Sequence, residues 1–240
     1  ISPRKLTSLE LCAGGGGAAL GLEQAGFSPV ALIDNDRHAC ATLRHNRPYW
    51  NVVEADIKRF DPSYWRCVDL LSGGLPCPPF SIAGKQLGRD HDRDLFPAML
   101  RIVSKVRPQA ILIENVRGIL STRFTPVREG IDAALDAKGF DTYWGAFNGF
   151  DYGVPQKRFR AFLVALLRDS TKPLTWPIPE NGDHLTVASA IGDLMAERGW
   201  RGASTWMKKA DCLAPTIVGG SLKHGGPDLG PTAPGKNGRN

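Results

Sequence analysis

The sequence predicts an α/β protein built on a doubly wound, mostly parallel sheet. Up to residue 167, short apolar runs alternate with segments of helical spacing, the pattern of repeated strand–helix–strand units. Glu10, Asp34, Asp56, Cys77 and Glu114 fall at or just past the ends of the predicted strands. Because the carboxyl ends of parallel strands meet at one edge of a sheet, we expect the functional chemistry there.

The elements follow one another in a regular order. The first strand, Leu6–Leu11, leads through Gly14–Gly17 into a helix that Gly26 ends. The elements predicted next are a strand over Val30–Ile33, a helix over Arg37–Arg44, a strand and its exit over Val52–Asp56, a strand over Cys67–Leu71, a helix over Leu95–Val106, a strand over Ala110–Ile113, a helix over Ile131–Lys138 and a strand over Phe159–Leu167.

Regular structure is expected to stop near Leu167. Pro173, Pro177 and Pro179 interrupt any element that follows, and residues 225–240 hold five glycines and three prolines, a composition typical of loops. We therefore predict one domain over residues 1–170, followed by a linker and a partial second region over residues 171–240.

The composition argues against a membrane protein and against a zinc-stabilised one. Hydrophobic residues make up 42% and charged residues 22%, as in soluble globular proteins, and no apolar run reaches the length of a bilayer. The segment after Arg4 and Lys5 does not predict a signal peptide. The five cysteines form no Cys-x-x-Cys pair, so we expect no metal site and reduced thiols in the cytosol.

The net charge of +6 is concentrated toward the C-terminus, because residues 201–240 carry six basic and two acidic side chains. A locally basic surface suits a polyanionic partner such as nucleic acid. Basic charge alone also occurs in proteins that bind no nucleic acid.

The turn Gly14–Gly17 lies between a strand and a helix, where backbone can approach a ligand at a helix N-terminus. No Lys-Ser or Lys-Thr follows it, which excludes a Walker loop, and a plain strand–helix turn is an equal alternative. Asp34 ends the next strand, where a carboxylate binds ribose hydroxyls or caps the following helix. Together these features predict a nucleoside-containing ligand, with Asp56 facing an adenine amine or lying in a solvated turn.

Cys77 follows the apolar run Val68–Leu71 and stands between prolines within Gly73–Ser81. Proline fixes its own φ and restricts the residue before it, so the thiol is held on a stiff loop. A stiff, accessible thiol at the carboxyl edge of a sheet is typical of a nucleophile. The alternative is a rigid turn without a chemical role.

Two further polar motifs follow. Glu114 ends a buried strand one strand away from Cys77, where it can act on a base held against the thiol or cap the next segment. In Gln156–Arg160 basic and apolar residues alternate, so Arg158 and Arg160 share a face suited to phosphate or base contacts. An ordinary basic edge strand is the alternative.

These motifs resemble, in their order and spacing, the motifs of the DNA (cytosine-5) methyltransferases over roughly residues 6–167. The resemblance implies a class I, Rossmann-like methyltransferase fold that uses S-adenosylmethionine, with residues 1–170 as the catalytic and cofactor-binding domain. The segments that carry it are Glu10–Gly17, Pro76–Gln86, Glu114–Val116 and Asp151–Arg160.

The resemblance also implies a covalent mechanism on a cytosine flipped out of double-stranded DNA. Cys77 would attack C6 as a thiolate, which makes C5 nucleophilic enough to accept a methyl group. Glu114 would hold and protonate N3. Arg158 and Arg160 would contact the base edge and the backbone near the thiol, where positive charge favours the thiolate.

The cofactor implied by the resemblance is S-adenosylmethionine, without a metal. Asp34 would bind the ribose hydroxyls and Asp56 the adenine amine, while Pro76 and Leu95 would pack near the adenine and methionine ends. The full set of implied cofactor-binding residues is Cys12, Ala13, Gly14, Gly16, Gly17, Asp34, Asn35, Asp56, Ile57, Pro76 and Leu95.

The partner implied by the resemblance is double-stranded DNA. The expected setting is a bacterial restriction–modification system in the cytosol, associated with the nucleoid and not with a membrane. Gly84–Asp94 would be the loop that closes over the DNA. DNA contacts are expected from Ser81, Lys85, Gln86, Arg89, Gln156 and Lys157.

The chain departs from the family pattern in small ways and in one large way. Cys12 replaces a frequent aromatic residue, Asp34 a glutamate and Pro78 a glutamine, which leaves the cofactor interpretation intact. Residues 214–232 resemble the start of a target-recognition region, and no Gly-Asn-containing motif follows Arg168. With a first residue other than methionine, we expect an incomplete recognition region in a trimmed chain, or a split enzyme whose second chain supplies the missing motifs.

Three other functions stay open. An RNA cytosine-5 methyltransferase acting on tRNA would use the same flipped-base pocket. A non-catalytic DNA-binding or regulatory subunit could keep the fold, although it would need neither Cys77 nor Glu114. A nucleotide-binding oxidoreductase fits the glycine turn but gives no role to the Pro-Cys-Pro-Pro loop.

Overall fold

The computed structural model of the chain describes residues 4–76, 94–168, 173–179 and 185–216. The predicted Cys77 loop and the end of the predicted recognition region lie outside these ranges. Within the described ranges, no helix combines the length and the hydrophobicity needed to cross a bilayer.

One seven-stranded sheet organises the described chain. Its strands are β1 (Leu6–Leu11), β2 (Phe27–Asp34), β3 (Val52–Glu54), β4 (Leu70–Gly74), β5 (Ala110–Val116), β6 (Phe140–Asn148) and β7 (Phe159–Leu167). The order across the sheet is β3-β2-β1-β4-β5-β7-β6. Strand β1 pairs in parallel with β2 and β4, β2 with β3, and β4 with β5. The predicted doubly wound, mostly parallel sheet is confirmed.

Among the described residues, four helices lie between consecutive strands, and two more follow the last strand. They are α1 (Gly17–Gln24), α2 (Arg37–Asn46), α3 (Phe96–Val106), α4 (Thr125–Asp136), α5 (Val187–Ala196) and α6 (Ala203–Lys209), with 3-10 turns over Arg117–Leu120, Thr122–Phe124 and Gly149–Tyr152. The start of α2 is set by Asp36, whose carboxylate accepts hydrogen bonds from the backbone N–H groups of His38 and Ala39. Such a cap satisfies N–H groups that have no partner within the helix.

The central strands are buried on both faces of the sheet. In β1, Leu9 and Leu11 on one face are inaccessible to solvent, and Glu10 on the other face is 2% exposed. Burying a side chain such as that of Leu9 stabilises the fold by roughly 2 kcal/mol. A smaller cluster that includes Leu43 and Trp50 packs beside the β1–α1 turn. The strand ends that carry polar residues are therefore anchored in a rigid core.

The predicted start of β4 at Cys67 is wrong. Cys67 has a φ of 60°, and its N–H donates to the Val106 carbonyl over 2.7 Å, so the chain turns there and the strand begins at Leu70. Strand β5 runs further than predicted, to Val116. Glu114 therefore lies inside a strand and not beyond its end.

Strand β6 and the two helices of residues 185–216 carry no pattern from which they were predicted. Strand β6 includes Asp141 and Gly145, which break both the apolar run and the alternation that predict strands. Helix α5 begins with a capping box, in which Ser189 N–H donates to Thr186 Oγ1 and Thr186 N–H donates to Ser189 Oγ. Ser189 stands where the usual sequence signature has Glu or Gln, so only the N-cap residue Thr186 was a usable signal for a helix start.

The chain folds into two compact units. The first holds the residues up to Ala146 together with Ala161–Trp176, and the second holds Phe147–Arg160 with the described residues from Pro177 onward. In the second unit, α5 packs against α6. The division into domains over 1–170 and 171–240 stays a prediction.

Candidate cofactor and active site

A cavity of about 370 Å³ opens at the carboxyl ends of β1, β2 and β3. Its volume is that of a small-molecule site. Seven of the predicted cofactor-binding residues line it, together with Ala55 and Lys58, which no sequence motif marks. The lining residues are Cys12, Asp34, Asn35, Ala55, Asp56, Ile57, Lys58, Pro76 and Leu95.

The glycine turn connects the strands that carry the cavity. The Gly14 N–H donates to Asp34 Oδ2 over 2.8 Å, which joins the turn to the end of β2. Gly16 has a φ of 84°, and a Cβ there would lie 2.5 Å from Leu43 Cδ2, so packing and backbone conformation both require glycine. The predicted cofactor residues that shape this turn without lining the cavity are Ala13, Gly14, Gly16 and Gly17.

Asp34 presents a half-buried carboxylate to the cavity. Besides the bond from Gly14, its Oδ1 accepts the Asp36 N–H over 2.8 Å. Helix α2 is capped by Asp36, so the alternative role considered for Asp34, that of a helix cap, belongs to its neighbour. Each carboxylate oxygen has two lone pairs, and the oriented Asp34 therefore keeps acceptor capacity for the hydroxyls of a ligand.

Asp56 lies in a tight turn directly after β3. Its Oδ1 accepts the Lys58 N–H over 2.9 Å, and its carbonyl accepts the N–H of Phe60 over 2.9 Å. Arg101 Nη2 donates to the carbonyls of Ile57 and Phe60 over 2.8 and 2.9 Å. The turn is thus held from α3, and the Asp56 carboxylate has a fixed position at the cavity.

The Cys12 thiol shares the cavity with both carboxylates. Burial raises its pKa to about 12, and the negative charges of Asp34 and Asp56 contribute to that increase. The thiol is therefore neutral at physiological pH. It offers polarizable, largely apolar contact surface and does not compete as a nucleophile.

Glu10 is a buried acid near the end of β1, at 2% exposure. Burial raises its pKa to about 7, although it accepts a hydrogen bond from the Ala19 N–H in the first turn of α1. Its Oε2, and the Oγ of its register partner Ser72 on β4, have no hydrogen-bond partner within the described part of the chain. The carboxyl group joins β1 to the positive end of α1.

Glu114 lies on β5 in register with Gly74, the last residue of β4. A Cβ placed on Gly74 would lie 3.6 Å from Glu114 Oε2, so the carboxylate is beside the end of β4. Asn115 is buried, and its Nδ2 donates to the Leu75 carbonyl over 3.1 Å. The start of the segment that leads to Cys77 is thereby fixed to the strand that carries Glu114.

In the second unit, the backbone at Arg158 is held by two hydrogen bonds. The Arg158 N–H donates to Asn148 Oδ1, and the Arg158 carbonyl accepts the Gly149 N–H, each over 3.0 Å. Arg160 Nη1 donates to the Phe159 carbonyl over 2.8 Å. Both arginines are half-buried on a constrained backbone, which suits directed contacts better than a mobile surface chain would.

Gln156 and Lys157 differ in their exposure. Gln156 is 9% exposed and pairs with Ala214 in a parallel bridge. The Lys157 N–H donates to the Ala214 carbonyl over 2.9 Å, while its side chain is exposed. Lys157 is thus better placed than Gln156 for a phosphate contact.

The rest of the predicted site is not brought together by the described residues. The arginine pair belongs to a different unit from Glu114, so the assembly of thiol, carboxylate and arginines stays a prediction. Within the ranges that the structure describes, no group of three His, Cys, Asp or Glu side chains could hold a metal ion. The predicted residues outside those ranges are Cys77, Ser81, Lys85, Gln86 and Arg89.

Several known proteins are similar to this chain. The type II methyltransferase M.NgoMIV of Neisseria gonorrhoeae is 49% identical over 214 residues, which cover 89% of this chain and 69% of that protein. The type II methyltransferase M.NaeI of Lentzea aerocolonigenes is 47% identical over 234 residues, which cover 95% of this chain and 56% of that protein. The chain therefore spans between about half and two thirds of the length of these relatives.

Solved structures share the fold. A protein described as a DNA modification methyltransferase encoded within a prophage of E. coli matches with a TM-score of 0.68 and 26% identity, over 78% of this chain and 54% of that one. A mutant of DNMT2 from Spodoptera frugiperda matches with a TM-score of 0.65 and 25% identity, over 78% and 59%. Because the model of the C-5 cytosine-specific DNA methylases matches residues 6–218, this chain belongs to that family.

Proposed function

We propose that this chain carries the catalytic and cofactor-binding part of a DNA (cytosine-5) methyltransferase, which transfers a methyl group from S-adenosylmethionine to C5 of cytosine in double-stranded DNA. The cavity carries the proposal, because seven residues implied by the family resemblance line it together. The relatives are type II methyltransferases, which supports a modification enzyme of a bacterial restriction–modification system acting in the cytosol.

The cavity residues fit S-adenosylmethionine. Asp34 would accept hydrogen bonds from the ribose hydroxyls, and Asp56 would accept one from the adenine amine. Pro76 and Leu95 would supply apolar contact surface. The two carboxylates also favour a ligand that carries positive charge. When bound, the cofactor supplies an electrophilic methyl group on a sulfonium sulfur, and the neutral thiol of Cys12 leaves that group without a competing nucleophile nearby.

Cys77 is the proposed nucleophile. Its thiolate would form a bond to C6 of a flipped cytosine while N3 takes a proton from Glu114, which leaves C5 electron-rich without a full negative charge on the ring. After C5 has gained its methyl group, a water molecule takes the C5 proton and the electron pair of that bond restores the C5=C6 double bond. The S–C6 bond then breaks to release the Cys77 thiolate, and the proton on N3 returns to Glu114. The base must leave the duplex stack, because its neighbours block the approach above C6.

The described geometry supports this role for Glu114. Its carboxylate lies beside the last residue of β4, three residues before Cys77 in the chain. The bond from Asn115 to the Leu75 carbonyl fixes the point from which the Cys77 segment departs. Asn115 is therefore a positioning residue for the nucleophile segment, although no cofactor or substrate need contact it.

The proposed macromolecular partner is double-stranded DNA. Arg158, Arg160 and Lys157 would contact it from the second unit, together with the predicted residues of the Cys77 segment. A second chain, or a further segment of the same protein, would complete target recognition. This proposal is supported by the two relatives, of whose length the chain covers 69% and 56%.

Transfer of labelled methyl groups to unmethylated duplex DNA tests the proposal. We expect label in 5-methylcytosine, lost in Cys77→Ser and reduced at least a hundredfold in Glu114→Gln, but retained in Cys212→Ser, which alters an exposed thiol of the second unit. Parallel reactions with tRNA separate a DNA enzyme from an RNA enzyme.

Two outcomes would overturn the proposal. Full activity of Cys77→Ser would exclude the covalent mechanism, and label confined to tRNA would replace DNA as the substrate. If no methyl group is transferred, calorimetry with S-adenosylhomocysteine separates two explanations. Binding of S-adenosylhomocysteine without methyl transfer supports a missing recognition segment. Absence of binding contradicts the proposed cofactor site.

A further inference from the structure

A second cavity, of about 520 Å³, lies at the amino-terminal ends of β4 and β5. This is the edge of the sheet opposite to the cofactor cavity, and all residues that line it belong to the first unit. None of them is a predicted catalytic, cofactor-binding or DNA-binding residue. The proposed methyl transfer therefore leaves this cavity without a role.

The lining combines an apolar floor with a basic rim. Val103 and Phe140 are buried side chains of the floor, while Arg107 and Lys138 are exposed at the rim with Gln109. No carboxylate is among the described residues that line the cavity. Such a lining favours a ligand with an apolar body and a negatively charged group.

Two residues at this cavity adopt an unusual backbone conformation. Cys67 has a φ of 60° and Arg107 a φ of 53°, in the left-handed region that non-glycine residues rarely occupy. The bond from the Cys67 N–H to the Val106 carbonyl holds one of these turns in place. Arg107 ends α3, where a left-handed residue is a common helix ending, whereas Cys67 lies outside any helix. Together the two turns bring a thiol and a guanidinium to the same cavity.

A second role for the cations is to offset helix dipoles, because α3 and α4 both end near this edge of the sheet. Lys105, in the last turn of α3, already has that position, pairs with Asp61 and does not line the cavity. Dipole compensation also requires neither a cavity nor a buried phenyl ring. The combination of floor, rim and volume therefore indicates a ligand.

We propose that this cavity binds a small aromatic anion, in which an apolar ring carries a carboxylate or phosphate group. The ring would lie against Val103 and Phe140, and the charge would lie between Arg107 and Lys138. The side chains of Ser104 and Gln109 are the neutral hydrogen-bonding groups of the lining.

Cys67 supplies a built-in reporter, and Cys212 supplies its control, since both thiols are exposed and only Cys67 lines the cavity. The probes are two aromatic disulfides, the anionic dithiobis-nitrobenzoate and the neutral dithiodipyridine. In either reaction a cysteine thiolate attacks the disulfide and forms a mixed disulfide. The leaving group is a coloured aryl thiolate from the anionic probe and, after it takes up a proton, an ultraviolet-absorbing thiopyridone from the neutral probe. Each kinetic phase of the reaction is assigned to a cysteine by replacing that cysteine with serine, because the variant then lacks its phase.

We expect the anionic probe to be favoured over the neutral one more strongly at Cys67 than at Cys212, which follows the lysines at the end of α6. That preference should fall about fivefold for each cation removed, the factor for one charge pair in contact in water. The variants are Arg107→Asn, which suits a left-handed backbone, and Lys138→Gln. Lys105→Gln removes the same charge outside the cavity and should leave the preference unchanged.

Competition in the unmodified protein provides a second readout. Naphthoate should slow the reaction of Cys67 with the neutral probe, whereas naphthalenemethanol, which lacks the charge, should not. Equal preferences at Cys67 and Cys212, an equal loss in Lys105→Gln, or no protection by naphthoate would each overturn the proposal.

Discussion

At the scale of single residues, the buried Glu10 should make the stability of the fold depend on pH. Burial raises the pKa of this carboxyl group from 4.5 to about 7, so the folded protein keeps a proton that the unfolded chain releases. The free energy of unfolding contributed by Glu10 should therefore fall as pH rises from 4.5 to about 7, by at most about 3 kcal/mol, and then stay level. Urea unfolding at both ends of this window, compared between the wild type and Glu10→Gln, measures the effect.

The glutamine variant still offers an oxygen to the Ala19 N–H but does not titrate. We expect the difference in stability between wild type and Glu10→Gln to change with pH in the direction given above. Glu129→Gln, on the exposed surface of α4, serves as the control and should show no such change. A pH-independent difference for Glu10→Gln would contradict the assignment.

Asp56 provides a residue-scale test of the cofactor site. Its carboxylate is exposed at the cavity on a turn that Arg101 holds, so Asp56→Asn should remove a charged acceptor with little effect on the fold. We expect the Kd for S-adenosylhomocysteine to rise by about tenfold to a hundredfold, the usual value of a hydrogen bond to a charged group. Calorimetry measures it, and Asp61→Asn, which makes the same change of charge away from the cavity, should bind as the wild type does.

At the scale of elements, the junction of β1 and α1 depends on one glycine. Gly16→Ala would place a Cβ against Leu43 and impose a φ of 84° on a residue with a side chain, which should destabilise the fold by about 1–3 kcal/mol. Gly15→Ala is a matched control, because a Cβ there meets nothing within 4 Å. Equal denaturant midpoints for the two variants would show that neither packing against α2 nor the positive φ requires glycine at position 16.

The elements that were predicted well from the sequence are those with a clear local pattern of apolar residues. Strand β7 was predicted with its observed bounds, because the unbroken apolar run Ala161–Leu167 directly follows the alternation that ends at Arg160. Cys67 was misassigned because its turn depends on a hydrogen bond to Val106, a long-range contact. Strand β6 was missed because its place in the sheet, and not its own pattern, stabilises it.

At the scale of the whole molecule, the cofactor cavity was predictable because one topological rule governs it. Parallel strands bring Cys12, Asp34 and Asp56 to one edge, although they are far apart in the chain. The partners of those groups were not predictable, since a hydrogen bond such as Gly14 to Asp34 depends on the local path of the backbone. The second cavity was not predictable either, because its cations follow helices and have no motif.

The net charge of +6 and a direct phosphate contact predict different salt dependences for DNA binding. A protein that neutralises phosphates releases counterions, and each neutralised phosphate adds about 0.9 to the steepness of log K against log salt. Lys157→Gln, at an exposed position beside the arginine pair, should make the slope shallower by about that amount. Lys105→Gln makes the same change of net charge at a side chain that pairs with Asp61, so it should leave the slope unaltered. Fluorescence anisotropy with a labelled duplex over a salt series measures both slopes, and equal slopes would mean that Lys157 acts through the overall field and not through a phosphate.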